Sequence, residues 1–267
     1  AGYQLDELKN PITGTTFAFF EPALDYVVTK IPRWPFDKFE SGNRTLGTQM
    51  KATGEVMAIG RSFEESLMKG IRSLELGKPH LVDASFSKFT DEQIEEKLTN
   101  AEDERIFVVG EAFQRSWSLD KVFELTKINP FFLEKIKDIV ETGKNLAAQP
   151  GNVTLLKRAK DMGISDEMVS LVWEWEERDV YDFRRDHNIT PVYKMVDTCA
   201  GEYESQTPYY YSSYEEENES VRSDKKSVLV IGSGPIRIGQ GVEFDYATVH
   251  TVWSLQEEGY EAIIINN

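Results

Sequence analysis

KKSVLVIGSGPIRIGQGVEFDYATVHTVWSLQEEGYEAIIINN, residues 225–267, opens with one continuous apolar run, Val228 to Ile231, and closes with another, Ala262 to Ile265. Uninterrupted apolar runs of this length belong to strands covered on both faces, which is the situation inside parallel sheets. Between them, helix-forming sequence extends from about Glu243 to Glu258, and Gly259 stands where a left-handed residue would end a helix. The segment therefore predicts a β-α-β unit. Seven large apolar residues in the two strands, each worth roughly 1.5 to 3 kcal/mol when buried, represent on the order of 10 to 20 kcal/mol, comparable with the stability of a whole domain. Two parallel strands cannot cover each other, so the unit is expected to dock on the preceding residues or on another chain, and to be the start of a domain that the sequence leaves incomplete.

Gly232, Ser233 and Gly234 follow the first strand at once, the place where glycines let backbone N–H groups approach a phosphate. The dinucleotide pattern G-x-G-x-x-G fails, because its third glycine would fall at position 237, which is Arg237. Gly239 and Gly241 lengthen the loop instead. Gly232 and Gly234 are weak nucleotide-phosphate candidates, and a tight structural turn at a domain interface is the competing reading, which the sequence favours.

Working back from this unit, residues 190–226 carry Pro191, Pro208, the run Tyr209 to Tyr211 and the acidic tract Glu215 to Glu217, and read as irregular chain and linker with a boundary near Ser223. Residues 78–190 have little strand signal and repeated helix starts: Thr90 with Gln93, Asn129 before Pro130, and Ser165 before two acidic residues. In the longest helix Phe132, Leu133, Ile136, Ile139 and Val140 share a face. A later helix has Glu176 and Glu177 in its first turn and Arg184 and Arg185 in its last, as the helix dipole favours. Trp173, Trp175, Tyr181 and Phe183 are expected to be core more than recognition surface. Residues 1–77 are mixed: a strand from Asp25 to Ile31 ended by Pro32, a second strand from Glu55 to Ile59, and a helix from Phe63 to Leu76 opened by Ser62 and Glu65.

The chain has 46 acidic and 30 basic residues and a formal net charge of −16, a balance that disfavours nucleic acid and anionic lipid as partners. No window holds the roughly 20 uninterrupted apolar residues needed to span a bilayer. Cys199 is the one cysteine, so no internal disulfide is possible and a cytoplasmic setting is expected. His80, His187 and His250 are too scattered for a metal site, and no catalytic residue stands out. The chain starts without methionine inside what reads as a helix, Gln4 to Leu8, and so is expected to be an internal piece of a longer protein.

Three segments together resemble the large subunit of carbamoyl phosphate synthetase: TKIPRWPFDKF with LGTQMKATGEVMAIGRSFEESLMKGIRSLE (29–75), VYKMVDTCAGEYESQTPYYYSSYEEE (192–217) and IGSGPIRIGQGVEFDYATVH (231–250). The resemblance implies a mixed fold, with a central all-α oligomerisation domain flanked by α/β pieces of two ATP-grasp halves. Residues 1–77 would end the first, carboxyphosphate half. Residues 78–224 would be the oligomerisation domain with its acidic linker, and 225–267 the start of the carbamoyl-phosphate half. The parent enzyme implied is a ligase of pyrimidine or arginine biosynthesis. It makes carbamoyl phosphate from bicarbonate, ammonia drawn from glutamine by a glutaminase small subunit, and two ATP with magnesium or manganese. The piece itself would hold no complete ATP or metal site, would be inactive alone, and would self-associate. Glu55, Arg237, Gly241 and Glu243 match family positions near the interior passage for carbamate, though Glu55 and Glu243 are equally readable as interface salt-bridge partners. A stand-alone nucleotide-binding module and a purely structural helical scaffold remain as alternatives.

Overall fold

The computed structural model describes residues 2–10, 14–21, 24–197, 209–221, 223–239, 241 and 243–265. Strands β1 (Val27–Arg33) and β2 (Gly54–Gly60) pair antiparallel, with Val27 opposite Gly60 and Arg33 opposite Gly54. The first strand was expected to stop before Pro32; instead Pro32 lies in register opposite Glu55. Proline is tolerated because, among the described residues, β1 has a neighbour on one side only, so the missing N–H need not face β2. The helix expected over Gln4 to Leu8 is a single turn, closed by the Glu7 amide on the Gln4 carbonyl, and its Leu5 and Leu8 are exposed. Without a face to bury, so short a segment does not hold a helix.

Helix α1 (Phe63–Ser73) packs on this hairpin. Ser62 caps it by accepting from the Glu65 amide at 3.1 Å, while Glu65 reaches back to accept from the Arg61 amide at 2.7 Å. A Cβ on Gly70 would stand 2.8 Å from the Cδ1 end of Ile31, so glycine lets α1 approach β1 without moving that side chain. Leu67, Met68 and Ile71, beside Gly70 around α1, enter the core of the helical region, on which Ile31 also packs.

That region contains α2 (Asp91–Thr99), α3 (Arg105–Gln114), α4 (Leu119–Thr126), α5 (Pro130–Ala148), α6 (Val153–Asp161), α7 (Asp166–Trp173) and α8 (Glu177–Asp186). The starts are those the sequence marks: a full capping box at Thr90 and Gln93, Asn129 with Pro130 in the first turn, and Ser165 accepting from the Met168 amide. Leu133, Ile136, Ile139 and Val140 of α5 are buried against Phe107, Val108, Ala112 and Phe113 of α3. Phe132 differs from expectation and is 42% exposed, because it sits at the open start of α5. A second core forms where the end of α5 meets α6, α7 and α8 around Leu146, Leu156, Val169, Trp173 and Val180. Trp173 donates its indole N–H to the Leu146 carbonyl at 2.9 Å, and Trp175 and Phe183 stack edge-on around it, so these aromatics are core.

Residues 190–226, expected to be irregular, contain β3 (Val192–Met195) and β4 (Tyr210–Ser213), paired antiparallel. The acidic tract after β4 is tied down at its first residue, and Glu216 and Glu217 stay exposed. Glu215 bonds Arg61 at 2.8 Å and Glu219 pairs with Lys194 at 2.7 Å, which draws the segment back onto the α/β part. Tyr211 is buried, with its ring 6.2 Å from that of Tyr26.

Strand β5 (Ser227–Ile231), α9 (Glu243–Glu257) and β6 (Glu261–Ile265) form the β-α-β unit. The strands are parallel, Ser227 opposite Glu261 and Ile231 opposite Ile265, and Gly259 ends the crossover at φ +81°. The expected burial on both faces is not found: Leu229, Ile231, Ile263, Ile264 and Ile265 are all exposed. With α9 against the two strands, the rest of their surface is open.

Candidate functional site

The glycine loop leaves β5 at Ile231, where the Gly232 amide still donates to the Ile265 carbonyl at 2.7 Å. Gly234 and Gly239 take φ +74° and +94°, the left-handed turns that aim the loop away from the unit and towards the start of β2. There it meets three groups. Gly54 lies so close that a Cβ on it would stand 2.7 Å from the Ile236 carbonyl oxygen. The Lys38 ammonium donates to the Ile238 carbonyl at 3.1 Å. Arg237 forms an ion pair with Glu75, just beyond α1.

Of the residues singled out in the sequence, Glu55 and Arg237 are brought to the same region, since Gly54 precedes Glu55 and touches the neighbour of Arg237. Their charges go elsewhere: Glu55 faces outward and pairs with Lys30 at 2.9 Å, across the hairpin. Gly241 is exposed and Glu243 is the first residue of α9. Gly232 and Gly234 stand before the docked stretch 236–238, not at the helix start. Cys199 lies outside the described residues. Among the described residues, no three His, Cys, Asp or Glu are grouped to hold a metal ion, and no helix is long and apolar enough to cross a membrane.

A second concentration of polar side chains was not visible in the sequence. A cavity of about 300 Å³ lies between α1, the turn from α6 into α7, the start of α8, and β3 and β4. Lys160 is 3% exposed; its ammonium donates to the Ile164 carbonyl at 2.8 Å and to Asp166 at 2.7 Å. Burial draws its pKa down to about 8, and Asp166 opposes that fall. Burial also disfavours the charged form of Asp166, but Lys160 and Arg184 outweigh it and hold the carboxyl below its ordinary range. Arg184 donates to the other Asp166 oxygen at 2.8 Å. On the α1 side, Lys69 pairs with Glu65 at 2.8 Å and donates to the carbonyls of Ile59 and Ser212.

Arg72 is different. One of its terminal nitrogens donates to the Met68 and Gly163 carbonyls, and no carboxylate among the described residues comes within ion-pair distance. Burial lowers its pKa. Nothing local marks these side chains in the sequence, because each sits in an ordinary helical or strand position and only packing gathers them. The one available signal was Lys160 beside Leu156 and Ala159, a lysine on the apolar side of its helix.

Residues 55–188 match the family described as carbamoyl-phosphate synthetase large chain, oligomerisation domain. Residues 224–267 match the carbamoyl phosphate synthase preATP-grasp domain. The first match alone takes in half of the chain, from β2 through α8.

Proposed function

The chain belongs to the carbamoyl-phosphate synthetase large-chain family, and from that premise we propose that its helical region is the self-associating part of a carbamoyl phosphate synthetase. The parent reaction is the ATP-dependent ligation of bicarbonate and glutamine-derived ammonia into carbamoyl phosphate. The observation that carries the proposal is the coincidence of the oligomerisation-domain match at residues 55–188 with a folded, doubly cored helical body over the same residues. Residues 1–77 would belong to the carboxyphosphate half, 78–224 to the oligomerisation domain, and 225–267 to the start of the carbamoyl-phosphate half. ATP and its magnesium or manganese would be held by other parts of the enzyme. Sedimentation velocity over a hundredfold concentration range is expected to show a rising sedimentation coefficient. A strict monomer throughout would count against self-association.

The glycine loop is proposed as interdomain structure beside the carbamate passage, with Glu55, Arg237, Gly241 and Glu243 near its wall. The seating of Ile236 on Gly54 and of Arg237 on Glu75 supports a packing role over nucleotide binding. A phosphate loop would instead present these backbone amides to its ligand. Calorimetry with ATP and ADP is expected to give no binding heat that depends on the loop, so that Gly234→Val leaves the titration unchanged; tight binding that this substitution abolishes would favour the nucleotide-binding alternative.

A further inference from the structure

We propose that the cavity between α1, the α6–α7 turn, α8, β3 and β4 binds a small oxyanion, a phosphate or carboxylate group, through the Arg72 guanidinium and the Tyr214 hydroxyl. Both side chains line it, together with the carboxylates of Glu65 and Asp166, which are paired with Lys69 and with Lys160 and Arg184, and of Glu177 at its rim. The other lining cations are committed: Lys69 to Glu65 and two carbonyls, Lys160 to Asp166 and the Ile164 carbonyl. Arg72 has five N–H groups in a planar fork, and among the described residues its bonds leave from Nη1 alone. Its Nε and Nη2 have no hydrogen-bond partner among the described residues.

A guanidinium cannot shed its charge to relieve this. Its two unpaired nitrogens are not sealed from solvent, so an oxyanion entering the cavity can take the place of water on them. Tyr214 stands in the same position. No protein acceptor for its hydroxyl is found among the described residues, and its ring is held by the Lys160 ammonium 5.3 Å and the Arg184 guanidinium 5.9 Å from its centroid. Burial pushes the Tyr214 pKa up to about 12, so at neutral pH the hydroxyl keeps its proton and can donate it. A fork of two N–H donors beside an O–H donor is the donor set that a phosphate or carboxylate fills, with the fork matching two oxygens at once. At about 300 Å³ the cavity admits such a group with part of the molecule that bears it.

The test is isothermal titration calorimetry of the full chain at constant ionic strength, with inorganic phosphate in one series, acetate in a second and chloride as the blank. One saturable site for phosphate or for acetate is expected, and the tighter of the two names the group. Arg72→Met is expected to weaken that binding by about tenfold or more, the loss of a charge-assisted bond. Tyr214→Phe, which keeps the ring and its packing, is expected to weaken it by about threefold or more, and it serves as the test should Arg72→Met fail to fold. Absence of saturable heat with both anions, or an affinity unchanged in either folded variant, overturns the assignment.

Discussion

His80 is the buried one of the three histidines, 1% exposed, accepting from the Val82 amide through Nδ1 at 3.1 Å. That bond assigns the proton to Nε2, which is buried without a partner beside Gly143. Burial pulls its pKa down from 6.5 to about 4, so the folded chain keeps the ring neutral where the unfolded chain would protonate it. The associated stability is complete above pH 6.5 and is lost as pH falls towards 4, at about 1.4 kcal/mol per unit and about 3 kcal/mol in all. Urea midpoints of the native chain between pH 7.5 and 4.5 are expected to follow that slope, and His80→Asn to flatten it. Asp166 gives a second prediction, because it neutralises Lys160 and Arg184 together. Asp166→Asn leaves two buried cations without a counter-charge and is expected to lower stability by about 3 to 5 kcal/mol in chemical denaturation. Neither behaviour was legible in the sequence, where His80 looked like one of three scattered histidines and Lys160 like any helix lysine. Burial and partner choice depend on residues far away along the chain.

At the scale of elements, helix starts were legible because capping is local: Ser62, Thr90, Asn129 and Ser165 each accept from an amide two or three residues on. Ser165→Ala is expected to cost about 1 kcal/mol in thermal unfolding. Strands β3 and β4 were not legible. Their pairing joins Val192 to Ser213 across a long stretch of chain, and Tyr210 and Tyr211 have no alternating partner pattern nearby to announce it. Close approaches between elements were equally hidden. A Cβ on Gly110 of α3 would stand 2.5 Å from the Leu81 carbonyl oxygen, which belongs to backbone and cannot swing aside. Gly110→Ala is therefore expected to destabilise the helical core by about 3 kcal/mol, read from the urea midpoint, even though alanine is the better helix former.

At the scale of the whole molecule, α1 joins two bodies, with Gly70 against the β1–β2 hairpin and Leu67, Met68 and Ile71 in the core shared with α3 and α5. The β-α-β unit meets the rest through its glycine loop, at Gly54, Lys38 and Glu75. Gly54→Ala is expected to lift Ile236 off β2. Hydrogen exchange would then quicken by roughly tenfold in peptides covering 236–239 while α3 and α5 stay protected, since opening would be local to the loop. Unchanged exchange there would mean that the contact does not hold the loop. By itself the sequence determined the helical middle, its caps, the parallel β-α-β unit and the family resemblance, all of which rest on short-range period, cap chemistry and contiguous motifs. Only the tertiary structure decided that the acidic segment after β4 is ion-paired and that the glycine loop is seated on β2. It alone gathered Arg72, Lys160 and Tyr214 around one cavity, because these contacts join residues distant in the chain, and no local pattern records which distant partner a charge will meet.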